Sequence, residues 1–156
     1  MTGSYVSTNR GKIPQRALRY IDELPYVVSY HLSEDVTTVF GVDFGAGDAA
    51  FVLATPASRR AKPLEVQIYG NGETFNSVTT SARVDIGDGS DIDEFALCTL
   101  ADGTVAQIFT SYDGTLVIGD TEIIQPADQV TVTCTAPTGG TPTGQAAVSV
   151  SFIYFE

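Results

Sequence analysis

The sequence predicts an all-β protein, an antiparallel β-sandwich with an N-terminal arm. From Pro25 onward, runs of five to ten residues rich in Val, Ile, Thr, Phe and Tyr are separated by short polar or glycine-containing breaks. Several runs alternate apolar and polar residues, as strands with one buried face do. The breaks contain turn dipeptides such as Asp102-Gly103 and Asp113-Gly114. About ten short strands at this spacing are typical of a sandwich or barrel.

The strands can be placed along the chain from this pattern. Alternation is clearest where Val130, Val132 and Cys134 are interleaved with threonines. In the last run, Val148 and Val150 likewise alternate with serines. We predict strands over 25–32, 36–42, 49–54, 64–70, 81–87, 94–100, 104–110, 115–119, 129–136 and 145–155.

The chain divides most simply into an arm at 1–24 and a sandwich domain at 25–156. A length of 156 residues with 43% hydrophobic residues suits one domain that buries its own core. Within the arm, 13–24 is the one helix candidate, with Pro14 in its first turn, although it could equally be extended. The N-terminus lacks the apolar region of a signal peptide, and no apolar run approaches membrane-span length. We therefore expect neither export by that route nor a membrane partner.

Charge is distributed unevenly along the chain. The net charge is −11, and all eight basic residues lie within positions 1–83 together with eight of the acids. From Val84 to Glu156 there are eleven acids and no Lys or Arg. Such a chain repels a phosphate backbone, so we expect no nucleic-acid partner. The acids can serve solubility alone, or they can mark an acidic face distinct from a cationic one.

Residues for catalysis are scarce. His31 is the single histidine, no serine lies in a G-x-S-x-G elbow, and no phosphate-binding loop follows a strand. Cys98 and Cys134 lie in separate strand-like runs and could form a disulfide if those strands are neighbours. A cytosolic origin favours two buried thiols. The sequence predicts neither an enzyme nor a bound cofactor.

One segment, 85–94, concentrates carboxylates around two glycines. Calcium prefers such oxygen-rich loops, but the spacing does not match the twelve-residue EF-hand pattern. The favoured interpretation is a glycine turn between two strands, with the acids accepting hydrogen bonds from backbone N–H groups. The alternative is a divalent-ion site formed by Asp85, Asp88, Asp91 and Asp93.

The second half of the chain, from about Lys62 to Phe155, resembles capsid decoration (cement) proteins of tailed bacteriophages. The resemblance depends on LEVQIYG, then ARVDIGDGSDIDEFA, a variable pair of strands, and VTVTCTAPTGGTPTGQAAVSVSFIYF. It implies a jelly-roll body, usually trimeric, on the outside of the virion shell, assembled in the host cytoplasm. The implied partner is the major capsid protein, whose capsomers such proteins brace. Similar stretches occur in phage tail and head-fibre proteins, so a module that binds a host-surface glycan is the alternative.

Two groups of cations are candidate capsid contacts under this resemblance. The arm could become ordered on docking and bring its four cations to the shell. The second group lies near Pro56 and Pro63, is predicted to lie in a loop, and could pair with acidic capsid patches. A charged helix face and a solvated loop are the alternatives for the two groups. The candidate residues are Arg10, Lys12, Arg16, Arg19, Arg59, Arg60 and Lys62. For the glycan alternative, the candidate stacking residues are Tyr26, Tyr69 and Tyr112.

Overall fold

A computed structural model describes residues 24–34, 41–54, 58–70, 75, 79–103, 106–141 and 143–156. In this part of the chain there is no α-helix, and so none that could span a membrane. The strands are β1 (Tyr26–Leu32), β2 (Val42–Asp43), β3 (Ala49–Leu53), β4 (Arg60–Gly70), β5 (Arg83–Gly87), β6 (Ala96–Thr99), β7 (Ala106–Thr110), β8 (Val117–Ile118), β9 (Val130–Thr135) and β10 (Gln145–Phe155).

The strands form two antiparallel sheets. The first sheet has the order β1-β10-β4-β7, with β2 paired to the beginning of β10. The second has the order β3-β9-β5-β6-β8. β5 and β6 form a hairpin within the second sheet. Other consecutive strands, such as β9 and β10, belong to different sheets, so the chain crosses repeatedly between the two layers. The predicted all-β sandwich is confirmed.

The core lies between the sheets and follows the predicted alternation. Val148, Val150 and Phe152 of β10 are buried, as are Val132 and Cys134 of β9. Aromatic rings close the core at several points. The rings of Phe44 and Phe75 meet edge-on with centroids 5.3 Å apart, and those of Tyr30 and Phe152 do so at 5.8 Å.

Strand β4 is longer than predicted, and the expectation that Arg60 and Lys62 lie in a loop is wrong. The strand begins at Arg60, four residues before the predicted start at 64. Pro63 lies within it, opposite Phe152, where the register with β10 shifts. A proline is tolerated in a strand at such an irregularity because no ladder hydrogen bond is required of its nitrogen. The sequence pattern therefore marked a break where the strand continues.

One further predicted strand is shorter than expected, and some predictions concern residues that the structure does not describe. The strand predicted at 115–119 is reduced to the two residues Val117 and Ile118. Residues 1–23 and 35–40 lie outside the described part of the chain. The arm and most of the predictions for 13–24 and 36–42 therefore also fall outside it.

One end of the sandwich brings together Leu24, the beginning of β4, residues 119–124 and the β5–β6 turn. Arg59, just before β4, donates from Nη1 to the backbone oxygen of Leu24 at 3.4 Å. Residues 119–124 run from the β5–β6 turn to the start of β4. Their contacts are Gly119 N to Phe95 O at 2.9 Å and Ala61 N to Ile124 O at 3.0 Å. We call this the β4-start end.

Candidate interaction surface

We call the outer surface of the first sheet the β10 face, and the side chains at its centre are small and uncharged. Its centre is formed by outward residues of β10, namely Ala147, Ser149 and Ser151, which alternate with the buried valines. Register places His31 and Gln67 on either side of Ser149. Larger side chains stand at the periphery of the face, and three of these are about half exposed: Val27, Tyr69 and Ile108.

The polar groups of the β10 face are bonded to one another along the sheet. The hydroxyls of Ser29 and Ser151 are 2.8 Å apart, and Ser151 is only 8% exposed. Gln67 Nε2 donates to the carboxylate of Glu65. Among the outward residues of β1, β10, β4 and β7, Glu65 is the one carboxylate. Charge depletion of this kind is typical of the centre of protein interfaces and not of a surface built for solubility.

Three predicted contact residues lie at the β4-start end, which borders the β10 face, since Lys62 is in register with the outward Ile153. The guanidinium of Arg59 lies 5.3 Å from the ring centroid of Tyr26, and that of Arg60 lies 5.1 Å from that of Phe155. Arg60 also donates to the backbone oxygen of Glu156. Lys62 forms an ion pair with Glu122. These side chains are therefore held in place by aromatic, carbonyl and carboxylate partners.

The other predicted contact residues, Arg10, Lys12, Arg16 and Arg19, lie outside the described residues. Their segment joins the described chain at Leu24, whose backbone oxygen accepts the hydrogen bond from Arg59. The covalent connection of residues 1–23 is thus at the end of the sandwich that carries Arg59, Arg60 and Lys62.

Asp85 is fully buried although it points away from the core. It is opposite Leu97 and Thr133 on the outer side of the second sheet. Arg83 donates to Asp85 Oδ1 from Nε at 3.0 Å and from Nη2, and the Thr135 hydroxyl donates to Asp85 Oδ2 at 3.0 Å. Burial raises the pKa of Asp85, and the hydrogen bonds from Arg83 offset this only in part. Both oxygens thus have partners within the chain.

The β5–β6 turn is organised by its own carboxylates, as the favoured interpretation predicted. Asp88 Oδ1 accepts hydrogen bonds from the backbone nitrogens of Ser90 and Asp91 at 2.8 and 2.9 Å, and these bonds lower the pKa of Asp88. Arg83 Nη2 also reaches Asp93 at 3.3 Å, which ties the turn to Asp85. Within the described residues, no three acidic, histidine or cysteine side chains form a metal-binding group.

A glycine allows this turn to fold back onto the sheet. A Cβ added to Gly87 would lie 1.8 Å from the backbone oxygen of Asp91, so any side chain there would collide with the turn. The close approach of the two backbones accounts for this glycine.

The two cysteines are free and buried. Both Cys98 and Cys134 are in register with Val84, one on each side of β5. Two strand spacings separate their Cα atoms by about 9–10 Å, which exceeds the roughly 7 Å limit for a disulfide. Burial raises the pKa of Cys98 to about 12 and that of Cys134 further. Both thiols are therefore protonated at neutral pH.

The three candidate tyrosines do not form one platform. Tyr26 is half-buried and stacks on Tyr154 with ring centroids 5.5 Å apart. Tyr69 is opposite Ala106 at the beginning of β7, whereas Tyr112 follows the end of that strand. By strand rise, their Cα atoms are separated by more than ~13 Å. A single sugar ring therefore cannot stack on all three.

Tyr112 is nevertheless almost fully exposed on a turn that is held by hydrogen bonds. It is 97% exposed at the tip of a turn closed by neighbouring hydroxyls. The Thr115 hydroxyl accepts from Thr110 N at 2.8 Å, and Asp113 Oδ1 accepts from Thr115 N at 3.0 Å. Gly114 supplies a φ of 77°. A large aromatic side chain thus stands in solvent on a well-braced turn.

Neither protein-family models nor the curated proteins contain a match to this chain. The functional argument therefore depends on the residues themselves. Sequence analysis missed the β10 face, although its signal was present in the alternation of Ala147, Ser149 and Ser151 with buried valines. Serine and alanine on the outward side of a strand differ from the charged residues usually found on a solvated sheet.

Proposed function

We propose that this protein is a structural component of a phage virion that binds the outside of the capsid and stabilises contacts between capsomers. Its partner is the major capsid protein, it acts as a homotrimer, and it performs no catalysis. One observation carries the proposal: three cations lie at one end of the domain, and the segment that contains four more joins the described chain at that end. The three cations are Arg59, Arg60 and Lys62.

Such an arrangement suits docking through the β4-start end. A net charge of −11 favours solubility, whereas Arg59, Arg60 and Lys62 can pair with acidic patches of a partner. The rings of Tyr26 and Phe155 hold Arg59 and Arg60 in place, so less side-chain entropy is lost on binding.

We infer further that the sandwich is a jelly roll. Eight strands, without the two-residue β2 and β8, are divided into two sheets of four, the strand number of that fold. The segments that resemble decoration proteins supply most of β4 and all of β5, β9 and β10, which include central strands of both sheets. The resemblance therefore concerns the body of the domain.

The ion pair between Lys62 and Glu122 provides a test in which two substitutions should change capsid binding in opposite directions. Lys62→Gln removes a cation from the β4-start end, whereas Glu122→Gln releases the same cation from its internal partner. Purified protein is added to shells that lack it, and binding is measured by co-sedimentation at several salt concentrations. We expect Lys62→Gln to weaken binding about threefold to tenfold and Glu122→Gln to strengthen it, with both differences shrinking as salt rises. Saturable binding that neither variant changes would refute the role of this end.

The second candidate function is a module of a phage tail or head fibre that binds a host-surface glycan. The exposure and bracing of Tyr112 favour it, because an ordered aromatic face can stack on a sugar ring. A glycan array compares the wild type with Tyr112→Ala, and Tyr69→Ala serves as the control. A signal that only Tyr112→Ala abolishes would support the glycan function. An array on which the wild type binds no glycan would contradict the glycan-binding function.

A further inference from the structure

We propose that the β10 face is the surface through which copies of this chain contact one another. This deepens the proposed function, which includes a homotrimer without saying where its subunits meet. The inference depends on the composition, size and position of the face.

Charge identifies a second copy as the occupant. The domain carries 19 acids against eight bases, so most pairs of surfaces from two copies repel each other. In the described strands, the β10 face carries two outward carboxylates, Glu65 and Asp43, and each accepts a hydrogen bond from a neighbouring glutamine, Gln67 and Gln145 respectively. Two copies can meet there without bringing rows of carboxylates together.

The second sheet is a poorer candidate for this contact. Its outer surface is crossed by the Arg83–Asp85 ion pair and bordered by the β5–β6 turn, with Asp88 and Asp91 on its exposed side. Two copies meeting there would bring the two acidic turns into proximity or would have to desolvate the ion pair.

The size of the β10 face suits a moderate interface. Its strands contain seven, eleven, eleven and five residues. At about 3.4 Å per residue and 4.8 Å between strands they cover roughly 550 Å² in projection, or roughly 450 Å² without Arg60–Lys62 and Ile153–Phe155 at the β4-start end. A standard interface buries about 800 Å² of accessible surface per partner. A corrugated face of this size approaches that value, so association should depend on concentration.

The shape of the face is also suitable. Small side chains at Ala147, Ser149 and Ser151 form a low central strip, whereas Val27 and Ile108 stand higher on the two edge strands. Side chains from another copy can therefore approach the central strip closely while the peripheral apolar groups lose contact with water.

Arg59 precedes β4 and Arg60 begins it, so a contact centred on Ser149 leaves these two cations available to the capsid. Lys62, in one row with Ile153 and Val27, lies at the border of the contact.

The test uses two substitutions matched in type and position. Ile108→Arg places a charge on edge strand β7 of the β10 face, where Ile108 is 54% exposed. Val52→Arg places the same charge on edge strand β3 of the second sheet, where Val52 is 68% exposed. Neither side chain is buried, so both variants should fold, which a thermal melt followed by circular dichroism verifies. Mass in solution is measured by light scattering and sedimentation over a concentration series without shells.

We expect the wild type and Val52→Arg to form a species several times heavier than 16.5 kDa as concentration rises. Ile108→Arg should raise the concentration needed at least tenfold. Ser149→Arg, at the centre of the face, should do the same. A wild type that stays at 16.5 kDa throughout, or equal effects of Ile108→Arg and Val52→Arg, would overturn the inference. A monomer that still binds shells would refute this inference alone, whereas an oligomer that ignores shells would refute the proposed function alone.

Discussion

Replacing Asp85 with alanine should destabilise the sandwich substantially, although Asp85 lies outside the core. The change removes hydrogen bonds from Arg83 Nε, Arg83 Nη2 and the Thr135 hydroxyl to a carboxylate with no exposed surface. Hydrogen bonds to charged groups each contribute about 1.5–3 kcal/mol.

The net loss is smaller than the sum of these bonds. The pKa of Asp85 is raised by burial, which means that the carboxylate costs free energy to bury and that its removal recovers part of this cost. Arg83 is about one-third exposed, so it returns to water readily, and it keeps Asp93 at 3.3 Å. We therefore expect a loss of about 2–3 kcal/mol in the free energy of unfolding.

Urea denaturation followed by circular dichroism measures this loss. For an m-value of about 2 kcal/mol/M, the midpoint should fall by about 1–1.5 M. A double-mutant cycle with Arg83→Ala should give a coupling energy above ~1 kcal/mol, because the two side chains contact each other directly. A loss below ~0.5 kcal/mol, the range of ordinary surface substitutions, would contradict the reasoning.

The same samples test the alternative interpretation of the acidic segment. If the carboxylates serve only as hydrogen-bond acceptors and ion-pair partners, calcium and chelator should give the same melting temperature. A melting temperature that rises with calcium, and a rise that Asp85→Ala abolishes, would show a divalent-ion site instead.

Other predictions follow from the fold. Gly87→Ala should cost about 1–3 kcal/mol or more by overpacking, measured by urea denaturation, and an unchanged midpoint would contradict the close approach of the β5–β6 turn. Phe152→Ala should cost about 3–5 kcal/mol in the same assay, since the ring is fully buried between the sheets. Cys98 and Cys134 should resist a thiol reagent at pH 8 and react completely in denaturant, and rapid labelling of the folded protein would be inconsistent with their burial and raised pKa values. Deletion of residues 1–23 should leave a folded sandwich, as judged by circular dichroism, with weaker binding to shells. Loss of folding would make that segment part of the core.

Sequence reasoning performed best where a local pattern has one structural solution. The alternation at Val130 and Val132 predicted a strand with a buried side, and that side is in the core. It performed worst at Pro63, where a local break signal was overridden by pairing with β10, a strand some ninety positions away in the sequence. A β-bulge at such a pairing leaves no separate signal near the proline.

The candidate surface was harder to predict than the strands. The sequence indicated that the cations are confined to positions 1–83, but only the fold brings Arg59 next to Leu24 and Lys62 next to Glu122. The burial of Asp85 also depends on long-range pairing, because its cover comes from Arg83 and from Thr135, fifty positions away. The sequence alone showed that residues 85–94 are acidic, whereas the fold buries Asp85 beneath Arg83.

Binding to shells tests the central claim most directly. Wild-type protein is titrated onto shells that lack it, and bound protein per shell is counted after sedimentation while the melting temperature of the shell is followed. We predict saturation at a fixed stoichiometry, a higher melting temperature of the shell, and weaker binding for Lys62→Gln than for Glu122→Gln. Shells that remain unoccupied at high protein concentration, with an unchanged melting temperature, would contradict the claim that this sandwich serves to bind a capsid.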